Sequence, residues 1–150
     1  MLWVDSGSLS GDDTDSHIAI LARFCDPETI AYLKSDNPKD PDYESLMNME
    51  AQLQSFRTLD GKPYRLVPLP KPEQMFLDDY PLPASYANFL IINGAVLVPG
   101  SGSELDEVAR TRLQEVFRDT EVSLLDWRPL LSGHGALHCV TMQFPEGWLE

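Results

Sequence analysis

The tightest constraint on the fold is an order of elements that runs through the chain twice. In the stretch His17–Cys25, Ile18, Ile20, Ala22 and Phe24 alternate with His17, Ala19, Leu21, Arg23 and Cys25, which predicts a strand with two distinct faces. Asp26-Pro27-Glu28 is a turn, because proline fixes φ and aspartate bonds the local backbone, and Thr29–Leu33 reads as the partner strand. After a polar loop, Ser35–Pro41, Asp42 is placed to cap a helix whose stripe is Leu46, Met49, Leu53 and Phe56, ended by Asp60-Gly61. Tyr64–Leu69 closes the unit as a short strand, with Pro68 favouring its end or a sheet edge.

The same order then returns. Pro70–Pro83 is a long loop rich in proline and acid, and loops of that length in compact domains are often functional. Tyr86–Ile92 and Ala95–Val98 are apolar strands flanking Asn93-Gly94, a strong hairpin signal. Ser103 caps a second helix with the stripe Leu105, Val108, Ala109, Leu113, Val116 and Phe117, and Glu121–Asp126 is the last strand. Ahead of both units, Leu2-Trp3-Val4 reads as the end of a strand that starts abruptly. The expectation is an α/β fold of two strand-strand-helix-strand modules with little residue identity between them. Two such modules cannot easily close a compact sheet alone, so further modules or a partner chain are expected.

At 150 residues the chain is expected to be one domain, 1–150. A formal net charge of −13 argues against nucleic-acid binding, since a phosphate backbone would be repelled, and is compatible with a small cationic substrate. No apolar stretch approaches membrane-spanning length, and Met1-Leu2-Trp3-Val4-Asp5 lacks the basic and apolar regions of a signal peptide. Two cysteines make no disulfide framework, so a reducing cytoplasm is the expected compartment.

Chemistry concentrates near the C-terminus, in Gly133-His134-Gly135-Ala136-Leu137-His138-Cys139-Val140-Thr141-Met142-Gln143. Cys139 follows a glycine-rich turn and leads into alternating residues that predict a strand. The placement suits a nucleophile, and Gly135 would let a substrate approach the backbone closely. A buried cysteine serving as a small core hydrophobe is the alternative. On that strand His138 would face away from Cys139, in a structural role. His134 and His138 make only a pair and no cysteine–histidine spacing fits zinc, so neither metal nor cofactor is expected. Cys25 reads as core or near-site filler. Tyr86 and Asn88 share a strand face and could touch substrate or simply pack.

Gly11-Asp12-Asp13-Thr14-Asp15-Ser16-His17 resembles the Gly-Asp-Asp-Thr-Asp-Gly-His motif of the agmatine deiminase family, which includes the Porphyromonas-type peptidylarginine deiminases. Leu21-Ala22-Arg23-Phe24, Pro83–Phe89, Asn93–Pro99 and His138-Cys139-Val140-Thr141 resemble further family motifs in the same order. The resemblance implies part of a pentein fold, an α/β propeller, with the C-terminal half of the family present. It implies hydrolysis of a guanidinium to a urea with loss of ammonia, agmatine giving N-carbamoylputrescine, with arginine or peptidylarginine as the alternative substrates. By that resemblance Cys139 is the nucleophile, His17 the acid and base, and Asp13 and Asp15 could line the pocket, unless those acids satisfy turn N–H groups. The alternative for His17 is a strand histidine bonded to a neighbouring loop.

The chain departs from the family pattern at one telling place. The family has His-x-Asp, and here the residue two beyond His17 is Ala19. A methyl group cannot grip a guanidinium, and the family's second acid lies in the N-terminal half. Losing both grips removes roughly 1.5–3 kcal/mol for each charged hydrogen bond. The expectation is therefore deiminase-type sequence with weak or no activity as an isolated chain. The alternative is a non-catalytic remnant or assembly module whose sheet edges pair with another chain, either a second copy or a missing N-terminal half.

Overall fold

In the computed structural model, which describes residues 1–12, 17–133, 137–144 and 147, both units have the same topology. In the first, β1 (Ala22–Asp26) runs antiparallel to β2 (Thr29–Lys34), and α1 (Tyr43–Ser55) crosses over to β3 (Arg65–Pro70), which pairs parallel with β2. A separate hairpin, β4 (Met75–Leu77) with β5 (Tyr80–Leu82), lies between the units. In the second unit β6 (Leu90–Ile92) is antiparallel to β7 (Ala95–Gly100), and α2 (Glu104–Gln114) leads to β8 (Glu121–Asp126), parallel to β7. The two-strand, helix, strand order expected from the sequence is therefore present twice.

The central strand of the first unit explains how the units join. Every residue of Thr29–Leu33 is buried, as a strand covered on both faces requires. Ile30 and Tyr32 face one apolar cluster, with Leu46, Met49 and Leu53 of α1 and Leu9, Ile20 and Leu21. Ala31 joins the other, where Val67 and Leu69 of β3 meet Phe89, Val96 and Val98 and the Ala109 and Leu113 of α2. The second unit's helix thus packs on the first unit's sheet, and Arg112 Nη1 donates to the Pro68 carbonyl at 2.6 Å. Cys25 packs against this cluster, as core filler.

Several local expectations are corrected. His17–Ile20 is not strand: Ile18–Ile20 form a 3-10 turn, closed by Ile20 and Leu21 N–H groups donating to the His17 and Ile18 carbonyls. Tyr86–Asn88 form a second such turn ahead of β6, so only the end of Tyr86–Ile92 is strand. Period-two alternation over three residues does not separate a 3-10 turn from a strand when a polar residue caps it. Leu2–Val4 carry no strand, and among the described residues none follows Cys139, where residues 137–140 form a turn. The long loop contains a hairpin whose turn residues, Asp78 and Asp79, adopt φ of 49° and 65°; aspartate tolerates that region better than most residues, but no Asn-Gly signalled it. Val108 is exposed, while Asp106 turns inward to accept from the Tyr86 hydroxyl at 2.5 Å and the Gly102 N–H at 2.7 Å.

Asp42 does not cap α1 with its side chain. It accepts from Ser10 N at 3.0 Å and Ser10 Oγ at 2.6 Å, and it faces Lys71 Nζ at 2.7 Å. Lys71 also reaches Asp40 at 2.6 Å, its side chain only 6% exposed. The same N-terminal segment is held at Gly11 (φ 88°), where a Cβ would lie 2.2 Å from the Pro81 carbonyl oxygen, so only glycine fits against β5.

Removing one partner of a buried ion cluster leaves an uncompensated charge, so Lys71→Met is expected to destabilise by about 3–5 kcal/mol in urea titrations. Burial raises the Asp40 carboxyl, but hydrogen bonds from Lys71, the Asp42 N–H and Ser35 outweigh it and hold it below its ordinary 3.8. A carboxyl depressed in the folded state stabilises above its unfolded value and loses that contribution as pH falls through the folded one. The acid limb of the stability curve, below about pH 4, is expected to flatten in Lys71→Met relative to the parent.

Candidate functional site around Asn88 and Cys139

The site grows from two capped turns. His17 Nδ1 accepts from Ala19 N at 3.2 Å, and Ser85 Oγ accepts from Ala87 N at 3.0 Å. Each cap stands five positions ahead of its strand, His17 before Ala22 and Ser85 before Leu90, so the two turns are counterparts in the two units. Ser85 Oγ also donates to the Ile20 carbonyl at 2.5 Å and locks one turn onto the other.

Asn88, at the end of the second turn, is fully buried, and its amide gathers three distant segments. Oδ1 accepts from the His138 N–H at 3.0 Å; Nδ2 donates to the Ala19 carbonyl at 3.4 Å and to Cys139 Sγ at 3.3 Å. Backbone groups settle which way the amide points, since an N–H can only donate and a carbonyl only accept. Its remaining donor therefore faces the sulfur. The Cys139 turn is braced by Thr141, whose N and Oγ1 donate to the His138 carbonyl at 3.1 and 2.9 Å, while Leu137 is buried beneath it. Cys139 itself is exposed.

The backbone of Ala19 ties His17 and Asn88 together: its N–H donates to His17 Nδ1, and its carbonyl accepts from Asn88 Nδ2, which also bonds the thiol sulfur. With Nδ1 an acceptor, the neutral His17 ring carries its proton on Nε2. Burial pushes the other thiol, Cys25, up to about 11, so it stays protonated in the core. Burial also lowers the His138 imidazole pKa, helped by the Arg23 and His17 charges. The arrangement presents an exposed thiol, an amide N–H aimed at its sulfur and an imidazole whose Nδ1 is held by a backbone N–H.

Among the sequence-nominated residues, Cys139, His17 and Asn88 are brought together. Tyr86 is corrected: it is 1% exposed and spends its hydroxyl on Asp106, away from solvent. His138 does not sit on a strand turned away from Cys139; its N–H is part of the network. Asp13, Asp15, Gly135 and His134 lie outside the described residues. Sequence reasoning missed Ser85, Arg23 and the peptide of Ala19. For Ser85 a signal existed, a small polar residue at the same offset from its strand as His17. Among the described residues no three histidine, cysteine or acidic side chains gather as a metal site, and no helix is long and apolar enough to cross a membrane. A cavity of about 620 Å³ is lined by Lys34, Asp40, Lys71 and Gln74 and not by Cys139, and its buried ammonium is already held by Asp40 and Asp42.

Asn88→Ala breaks all three ties at once. It is expected to destabilise by about 1–3 kcal/mol through the partners left unsatisfied, and to slow iodoacetamide alkylation of Cys139 at fixed pH. Peptide-resolved mass spectrometry, with Cys25 as the internal reference, reads the rate.

The model of the Porphyromonas-type peptidyl-arginine deiminase family matches residues 1–145. An agmatine deiminase of Pseudomonas syringae pv. tomato is 29% identical, the match covering 97% of this chain and 44% of that protein. A crystal structure of a candidate arginine deiminase from Porphyromonas gingivalis superposes with a TM-score of 0.92 at 56% identity, covering 95% of this chain and 42% of that one. A C. jejuni agmatine deiminase with a serine in place of a cysteine, solved with substrate bound, superposes at 0.84 with 35% identity, covering 91% and 39%. The chain spans less than half the length of these relatives. With residues 1–145 matched and the α/β arrangement shared with solved deiminases, the chain belongs to the Porphyromonas-type peptidyl-arginine deiminase family.

Proposed function

We propose that this chain is the C-terminal, thiol-bearing portion of an agmatine deiminase-type site, two modules of a larger pentein propeller. The observation that carries the reading is the hydrogen-bonded path from His17 through the Ala19 peptide and Asn88 to Cys139. A delocalised guanidinium is a poor electrophile and needs a strong nucleophile held in place. The Cys139 thiolate attacks the guanidinium carbon, forming an S–C bond. His17, as the imidazolium with its second proton on Nδ1 in place of the Ala19 N–H contact, gives the Nε2 proton to the departing nitrogen, which leaves as ammonia, and a neutral ring and the amidino-cysteine remain. His17 then takes a proton from water as its oxygen attacks that carbon. The S–C bond breaks, the thiol is restored, and a urea is released; from agmatine this is N-carbamoylputrescine. The C. jejuni relative holding substrate has a cysteine replaced by serine, which fits a cysteine nucleophile in the family.

What the chain lacks is the grip. Ala19 is 7% exposed, and its backbone, not its side chain, serves the site. Asp13 and Asp15 are the acids nearest His17 in sequence for a cationic substrate, and a second acid would come from the portion of the relatives that this chain does not span. Isolated, the chain is expected to release ammonia from agmatine weakly or not at all, with arginine and peptidylarginine as the comparison substrates. Agmatine turnover at an ordinary enzymatic rate, about 1–10³ s⁻¹ and abolished in Cys139→Ser, would overturn the weak-activity reading. Ala19→Asp buries a carboxylate, so it is expected to lower the thermal midpoint without ligand and to raise activity only when an N-terminal half is supplied.

A second reading, an assembly module without turnover, is favoured by the edges. β1 is an edge strand carrying Phe24, 52% exposed, next to the exposed Ile18. Light scattering coupled to size exclusion tests it: association is expected, and a stable monomer at high concentration counts against it.

A further inference from the structure

The run that carries Cys139 has a second tie, beyond the contacts of Asn88. After Leu137 its large apolar side chains point to solvent: Val140, Met142 and Phe144 are 61%, 78% and 57% exposed. Apolar burial therefore does little to hold this run on the body of the protein, and polar contacts must supply the hold. Gln143 supplies one, its Nε2 donating to the Ile91 carbonyl at 2.8 Å across 52 positions of chain. The acceptor is a backbone carbonyl, so the amide nitrogen and not the amide oxygen faces it. β6, which holds Ile91, is the outer strand of its sheet, with β7 on one side only. An open edge leaves backbone groups without a ladder partner. Here a side-chain amide takes the place of a neighbouring strand.

The other tie is the His138 N–H, which donates to Asn88 Oδ1 at 3.0 Å. Asn88 precedes Ile91 as His138 precedes Gln143, so the two stretches proceed in the same direction and Cys139 lies between the ties. The receiving stretch is itself anchored. Phe89, between Asn88 and Ile91, is fully buried; Arg23 Nη1 donates to its carbonyl, and the Arg23 guanidinium lies 5.0 Å from its ring centroid. We propose that Gln143 is a positioning residue of the thiol site: from the open edge of β6 it closes the loop that holds Cys139 against the Asn88 amide. With one tie the sulfur is free to swing about His138; with two it is kept beside Asn88 Nδ2. The use of that placement in catalysis rests on the reading of Cys139 as the nucleophile, whereas the placement itself does not.

The test uses NMR on the isotope-labelled full chain and on substitutions of Gln143, all at neutral pH. Gln143→Met keeps the length of the side chain without a donor. Gln143→Glu keeps its shape, but an ionised carboxylate only accepts, while Gln143→Lys keeps a donor at similar reach. Hydrogen exchange of the His138 amide is expected to speed about two- to tenfold in the Met and Glu variants, the worth of one hydrogen bond, and to stay within about twofold of the parent in Gln143→Lys. The Asn88 side-chain amide signals, which report the contact with Cys139 Sγ, are expected to shift in the first two variants and to return in the third. Amides of α1 and β2 are expected to keep their parent rates. Gln143 is exposed, so all of these variants are expected to fold. The proposal is overturned if either the His138 exchange or the Asn88 signals stay unmoved in both the Met and Glu variants. It is overturned equally if Gln143→Lys behaves as Gln143→Met does, or if α1 and β2 amides speed as much as His138, the mark of a global loss of stability. None of these readouts needs a substrate, so an absence of deiminase turnover leaves the placement standing, and its failure leaves the deiminase reading standing.

Discussion

A buried primary amide is the joint on which this site hangs. Asn88 has no access to solvent, so each of its polar atoms must find a protein partner or cost the fold about 1–3 kcal/mol. It finds them in the first 3-10 turn, the Cys139 turn and the sulfur itself. Satisfying the amide and assembling the site are therefore one event. No single element supplies this geometry. It exists because β2 is covered on both faces, which brings the second unit's turn against the first.

The doubling of the topology has a chemical side. The two capped turns are counterparts, one capped by an imidazole and the other by a hydroxyl, and the hydroxyl bonds the imidazole's own turn. Lys71, held between Asp40 and Asp42, does similar structural work just past the end of β3, anchoring the N-terminal segment through Ser10.

Much of this was legible in the residues and some of it was not, for physical reasons. The helices, the paired strands and the Asn93-Gly94 turn, where Gly94 adopts φ 82°, show in apolar periodicity and turn chemistry because those signals are local. The 3-10 turns did not show, since capping by His17 and Ser85 competes with a strand-like alternation only once the fold closes. Asp42 illustrates the same limit: it reads as a helix cap, and it is recruited instead by Ser10 and Lys71, partners distant in sequence. Cys139, His17 and Asn88 were nominated separately, but no spacing shows that the Asn88 amide joins the Cys139 sulfur to the carbonyl of Ala19, whose N–H His17 accepts.

That the path runs through the peptide of Ala19 rather than its side chain separates two traits usually found fused in an active site. The link between thiol and imidazole uses only an N–H and a C=O, which every residue but proline supplies at that position. The side chain there can drift from acid to methyl, and the wiring of the nucleophile stays intact.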